Sequence, residues 1–151
     1  WKFLSNGYPV NFHGDTAISN IIHSKKNKFY LIDWRDSFGK LTKFGDIYYD
    51  LGKLFHTLRI SHIHLEKKYH HIKITKDKLK IKLETLKYLE KYEKIMSDEI
   101  KKYNFDLNKV KIISWLILLN SSALHTDKNS ALIYFIFGKL FLFKELNKEK
   151  F

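Results

Sequence analysis

Asp15, Asn20 and Asp33 are the residues of this sequence whose types and spacing could do chemistry together. Asp15 follows His13-Gly14, four residues separate it from Asn20, and Asp33 comes thirteen residues after Asn20, behind the apolar pair Leu31-Ile32. A carboxylate can take a proton from an attacking hydroxyl. An amide oxygen and a second carboxylate are hard oxygen donors of the kind that hold magnesium. A strand end is a rigid place from which to aim a carboxylate at a metal. Each residue alone has an ordinary reading: an Asp in a turn, an Asn where a strand starts, an Asp where one ends. The ordered set is what points to function.

The elements that must position them can be read from pattern. Trp1 to Asn6 suits the last turns of a helix stopped by Gly7, and Pro9 to Phe12 an extended segment. His13 to Ser19 is small and polar, hence a loop. The β-prone runs Asn20–His23 and Lys28–Asp33 flank Ser24-Lys25-Lys26-Asn27, which predicts a hairpin. Asp36 to Gly45 is a loop. Asp46 can cap a helix whose apolar residues recur at Ile47, Leu51, Leu54, Phe55 and Leu58. A second hairpin is expected from Tyr69–Thr75 and Lys78–Leu83 around Lys76-Asp77. It would put His71, Lys73 and Thr75 on one face and Ile72 and Ile74 on the other.

The rest reads as helix. Glu84–Tyr103 carries a stripe of Leu86, Leu89, Tyr92, Ile95, Met96 and Ile100. A helix starting at Asp106 or Asn108 runs to about Leu124, Thr126–Asn129 is a turn, and Ser130–Leu146 is the last helix. The expected class is α+β, mostly helical, with two short hairpins and about four helices. No βαβ alternation is present to build a parallel sheet.

The ordered series His13-Gly14-Asp15 with Asn20, then Ile32-Asp33-Trp34, then Gly45-Asp46 with Tyr49-Asp50-Leu51 resembles the aminoglycoside phosphotransferase and choline kinase family. The resemblance covers about Asn11 to Leu54. It implies the C-terminal lobe of a protein-kinase-like fold, with a catalytic segment over residues 11–54 and a helical acceptor-binding region over 84–147. By resemblance, Asp15 is the catalytic base, Asn20 and Asp33 are the magnesium and nucleotide-positioning ligands, and His13 and Asp50 are structural supports. The implied cofactor is magnesium, with ATP as co-substrate. The implied activity is transfer of the γ-phosphoryl group to a hydroxyl of a sugar, aminoglycoside, choline or amino alcohol.

The family's catalytic loop often reads HGDLHPGN, whereas here Thr16-Ala17-Ile18-Ser19 fills its interior. The sequence holds no Gly-rich loop and no strand lysine paired with a helix glutamate. Those belong to the N-terminal nucleotide lobe, which the family places before the catalytic loop. The chain starts twelve residues before His13, at a Trp rather than a Met, so it is expected to be a fragment whose partner is that lobe. Leu124-His125-Thr126-Asp127 is similar to a helix-joining turn of some bacterial phosphotransferases linked to surface polysaccharides. With His56 on the first helix, His125 and Asp127 are candidates for the acceptor pocket.

Composition narrows the alternatives. The chain has 151 residues, 44% hydrophobic and 16% aromatic, enough to bury a core. There is no cysteine, which removes disulfides and thiolate metal sites. The formal net charge is +12, from 28 Lys and Arg against 16 Asp and Glu. The basic residues are spread along the chain and nearly all are Lys, Arg35 and Arg59 being the exceptions. Compositional bias explains this better than a nucleic-acid surface. His62 with His64, and the adjacent His70 and His71, lack the helical i, i+4 spacing of a zinc pair. The longest apolar runs, Ile112–Leu119 and Ala131–Phe143, are shorter than the roughly 20 residues of a membrane span. A cytoplasmic protein without a span is expected. The alternatives are a kinase-like binding or scaffold protein without catalysis and, less favoured, a basic nucleic-acid-binding module.

Overall fold

The computed structural model describes residues 2–60, 65, 70–84 and 86–148. Among them are four helices and three two-stranded antiparallel sheets, an α+β arrangement. His62 and His64, weighed above as a zinc pair, lie outside the described residues.

Strand β1 (Pro9–Val10) pairs with β4 (Gly45–Asp46), Pro9 opposite Asp46 and Val10 opposite Gly45. Between them lies the loop that carries Asp15, Asn20 and Asp33. Inside that loop, β2 (Ile21–His23) and β3 (Phe29–Leu31) form the first hairpin, with Ile22 opposite Tyr30. Its turn closes where Ser24 N–H donates to the Lys28 carbonyl at 2.8 Å, and Asn27 within it sits at φ 56°. The left-handed region tolerates Asn better than most residues.

Asp46 then caps helix α1 (Ile47–Thr57), its carboxylate accepting from Tyr48 N–H at 3.1 Å. The same carboxylate accepts from Tyr8 N–H at 3.1 Å, so one side chain ties the helix start to the N-terminal segment. The second hairpin is β5 (His70–Ile74) with β6 (Leu79–Leu83), Ile72 opposite Ile81 and Lys73 opposite Lys80. Side chains alternate between the two faces of a strand. Accordingly Lys73 is exposed, while its neighbour Ile72 packs against the core.

Three long helices follow: α2 (Lys87–Lys102), α3 (Leu107–Ser122) and α4 (Lys128–Lys148). Of the two starts open to α3, Asp106 is the cap, accepting from Asn108 N–H at 2.9 Å and Lys109 N–H at 3.2 Å. Helix α3 packs against both α1 and α4. That explains why it is apolar nearly all round rather than along one stripe. Val110, Trp115 and Leu118 meet Phe55 of α1 and Phe137 of α4 in one buried cluster. Gly52 allows the α1–α3 crossing: a Cβ there would lie 2.9 Å from Ile113 Cγ2 and 3.3 Å from Ser114 N.

Several element boundaries depart from the pattern read in the sequence: Asn20 ends a 3-10 turn (Ile18–Asn20) rather than starting a strand, and the last helix starts at Lys128 rather than Ser130. The segment before Gly7 forms only a short 3-10 turn, Lys2–Leu4, closed by Ser5 Oγ donating to the Lys2 carbonyl at 2.6 Å. Helix α2 begins at Lys87 rather than Glu84, with no side-chain cap at its start. Among the described residues, no helix is long and apolar enough to cross a membrane.

Candidate functional site

The site is a loop seated on a helix. Asp50, in the first turn of α1, is buried and points its carboxylate at the loop. Oδ2 accepts from His13 N–H and Oδ1 from Gly14 N–H, each at 2.8 Å. Its backbone carbonyl accepts from Thr16 Oγ1. Backbone donors here replace the water that a buried carboxylate gives up. Gly14 sits at φ 81°, and a Cβ would lie 2.7 Å from Arg35 Cβ, so this position requires glycine.

His13 is buried behind the loop. Its Nδ1 accepts from Asp15 N–H at 3.1 Å, which leaves the ring proton on Nε2. That nitrogen is buried without a hydrogen-bond partner among the described residues, and the ring lies 4.7 Å from the Trp34 ring. His13 thus holds the Asp15 backbone and does not face the carboxylate chemistry.

The first hairpin brings the distant residues back. Ile32 N–H donates to the Asn20 carbonyl at 3.0 Å, extending the β2–β3 ladder by one step. Arg35 N–H donates to the His13 carbonyl at 2.9 Å. Asn20 Nδ2 donates to the Asp15 carbonyl at 2.9 Å. Residues 13–15, 20 and 32–35 are therefore stitched into one patch. Asp33 lies within it, exposed and at φ 60°. A non-glycine residue in that region is unusual and costs free energy.

Two cations grip Asp15. Lys53 Nζ lies 3.0 Å from Oδ1 and Arg35 Nη2 lies 3.0 Å from Oδ2. Partial burial pushes this carboxyl up, but the hydrogen bond and charge of Lys53, and then those of Arg35, outweigh it. They hold the group below the usual carboxylate range. Asp15 is ionised at neutral pH. Neither cation belongs to the motif read in the sequence. Two signals were available: Arg35 is one of two arginines in a lysine-rich chain, and Lys53 is three residues from Asp50, on the same face of α1.

Beside Asp15 opens a cavity of about 420 Å³, between the loop after Asp33, α1 and the end of α3. Arg35, Phe38, Tyr49, Lys53, Asn120 and Ser121 are among its walls. Asp15, Asn20 and Asp33 are not among them, Asp15 meeting the cavity through Arg35 and Lys53, and neither are the three residues expected to reach an acceptor. His56 is buried in α1, with Nδ1 3.3 Å from the Gly52 carbonyl. Burial and the Lys53 charge push it down to about 4, against weaker opposing effects of the Gly52 carbonyl and Asp15. His125 packs its ring 4.6 Å from that of Tyr134. Asp127 accepts from Ser130 N–H at 2.8 Å at the start of α4.

Among the described residues, no three His, Asp or Glu side chains gather as an all-protein metal cage would. Asn20 and Asp33 still offer oxygen donors: the Asn20 amide nitrogen is engaged by the Asp15 carbonyl, which leaves its oxygen to accept. Magnesium suits such a pair, since it takes one or two protein oxygens and fills its remaining positions with water and phosphate oxygens. No protein-family model, curated protein or solved structure matches this chain.

Proposed function

We propose that this chain is the catalytic, C-terminal lobe of a kinase-like phosphotransferase that moves the γ-phosphoryl group of ATP to a hydroxyl of a small molecule. The observation that carries the reading is the hydrogen-bonded patch uniting Asp15, Asn20 and the segment around Asp33, with Asp50 fixing the loop from below. An ionised carboxylate beside a cavity, and oxygen donors at a hairpin end, are the parts that phosphoryl transfer requires.

In this reading Asp15 receives the proton of the acceptor hydroxyl. The acceptor oxygen forms a bond to the γ-phosphorus as the bond from that phosphorus to the bridging oxygen breaks, and ADP leaves. To accept the proton, Asp15 must give up part of its hold on Lys53 or Arg35. Asn20 and Asp33 would hold magnesium, which supplies charge neutralisation on the phosphoryl oxygens when bound.

An N-terminal lobe would complete the nucleotide site. Ile22, Phe29, Tyr30, Ile32 and Trp34 are large, apolar and exposed on the first hairpin or just after it. Apolar residues concentrated in this way mark a surface that another element covers, and its position beside Asp33 supports a lobe that closes over the nucleotide.

The test is a coupled assay of ADP formation by the intact protein with magnesium, ATP and a panel of sugars, polyols, sugar and polyol phosphates, uronic acids, aminoglycosides and amino alcohols. Acceptor-dependent ADP formation is expected with at least one class. No acceptor-dependent signal across the panel would refute the reading.

A further inference from the structure

The charge balance of the cavity narrows the acceptor, on the proposed reading of Asp15 as the base. Arg35 and Lys53 both line the cavity and both pair with the same carboxylate. Two positive charges therefore face one negative charge. Among the described residues, no Asp or Glu is in the cavity's walls. Asp50, the next carboxylate of the site, is occupied by the backbone N–H groups of His13 and Gly14. The Lys53 side chain is only 14% exposed, so little water screens its charge.

The cavity also has walls of a different chemistry. Asn120 and Ser121, in the last turn of α3, offer an amide and a hydroxyl. Such groups recognise hydroxyls by exchanging hydrogen bonds. Phe38 and Tyr49 line it too, their rings packing 5.2 Å apart. A quaternary ammonium acceptor would find aromatic faces here, but it would also meet two cations against one carboxylate.

From this combination of walls we infer that the acceptor is an anionic polyol: a sugar or polyol carrying a phosphate or carboxylate. The anion is held by Lys53 and Arg35, and hydroxyl groups reach Asn120 and Ser121. Engaging the anion also draws the two cations off Asp15. Aminoglycosides and choline are excluded as acceptors by the same charges.

Calorimetry on the intact protein without nucleotide tests this, using glycerol 3-phosphate, glucuronate, glycerol, choline and inorganic phosphate as probes. Glycerol 3-phosphate or glucuronate should bind at least roughly tenfold more tightly than glycerol or choline, and the stronger of the two identifies the anion. It should also exceed inorganic phosphate, because the hydroxyls contribute. Arg35→Gln and Lys53→Met should each weaken that binding by about tenfold. Arg35 is exposed, so its variant retains the fold and decides the matter if Lys53→Met does not fold. Choline binding as tightly as either anion, inorganic phosphate binding as tightly as both, or anion binding indifferent to Arg35→Gln would overturn the inference. The proposed activity fails separately. Acceptor-dependent ADP formation with only cationic acceptors would sink the inference and spare the kinase. Anion binding without turnover of any acceptor would sink the kinase and leave an anion-binding site alone.

Discussion

At the scale of single residues, the site is organised by who holds each charge. The Asp15 carboxylate is shared between two cations, whereas that of Asp50 is held by backbone N–H groups. The two aspartates have the same chemistry and different roles because of what surrounds them. His56 nearby is kept neutral. Its folded value of about 4 lies below the ordinary 6.5, so the unfolded chain binds the proton more readily. Stability from this group is therefore complete above pH 6.5 and is lost as pH falls toward 4. The gap between those two values corresponds to a loss of roughly 3 kcal/mol. Asp15 does not blur this window. Its value is lowered below 3.8, so its own contribution is lost only at more acidic pH. Urea unfolding at pH 7 and pH 4.5 should show a smaller difference for His56→Leu than for the unchanged protein. Equal differences would contradict the assignment. The motif residues Asp15, Asn20, Asp33 and Asp50 were legible because their order in the chain is informative. Arg35 and Lys53 left weaker signals, because their importance arises only when the segment after the first hairpin and α1 both meet Asp15.

At the scale of elements, short-range signals were readable and long-range pairings were not. Asp46 and Asp106 announced their helices because a cap acts within one turn. Both hairpins followed from β-prone runs flanking polar turns. The β1–β4 pair was invisible: each strand has two residues, and its partner lies far along the chain. Yet that pair closes the loop carrying the site. The helix–loop joint made by Asp50 is the second long-range tie, and it gives a clean test. Asp50→Ala leaves the N–H groups of His13 and Gly14 without their acceptor. The expected cost is roughly 2–6 kcal/mol, since each of the two buried unsatisfied groups costs about 1–3. Asp50→Asn retains one acceptor oxygen and should lose less. Chemical denaturation of the two variants checks this, and equal stability of Asp50→Ala and the unchanged protein would contradict the cradle.

At the scale of the whole molecule, burial is uneven. The core lies among α1, α3 and α4, where Phe55, Val110 and Leu118 are fully buried. The first hairpin, by contrast, presents Phe29 70% exposed, and Trp34 just beyond it is 54% exposed. The Trp34 ring lies against that of His13, and Asp33 immediately precedes Trp34 in the chain. On the proposed reading, a chain that exposes apolar rings beside its metal ligands carries half of a nucleotide site. ATP binding by these 151 residues in isolation is therefore expected to be weak, even with magnesium. Calorimetry should give no micromolar affinity, and a micromolar value would contradict the two-lobe reading. Periodicity disclosed the α+β class and the helical C-terminal half. The central position of α3 was hidden, because a helix apolar all round has no face to orient it.

The central claim is that Asp15 takes the acceptor proton, and one substitution addresses it most directly. In the intact protein, Asp15→Asn keeps the side-chain volume and removes the base. The value of kcat for acceptor-dependent ADP formation should fall by roughly 10²–10⁴-fold. The unfolding midpoint should stay within a few degrees of the unchanged protein, about the effect of 1 kcal/mol. A kcat within twofold of the unchanged protein, in a variant shown to be folded, would contradict it.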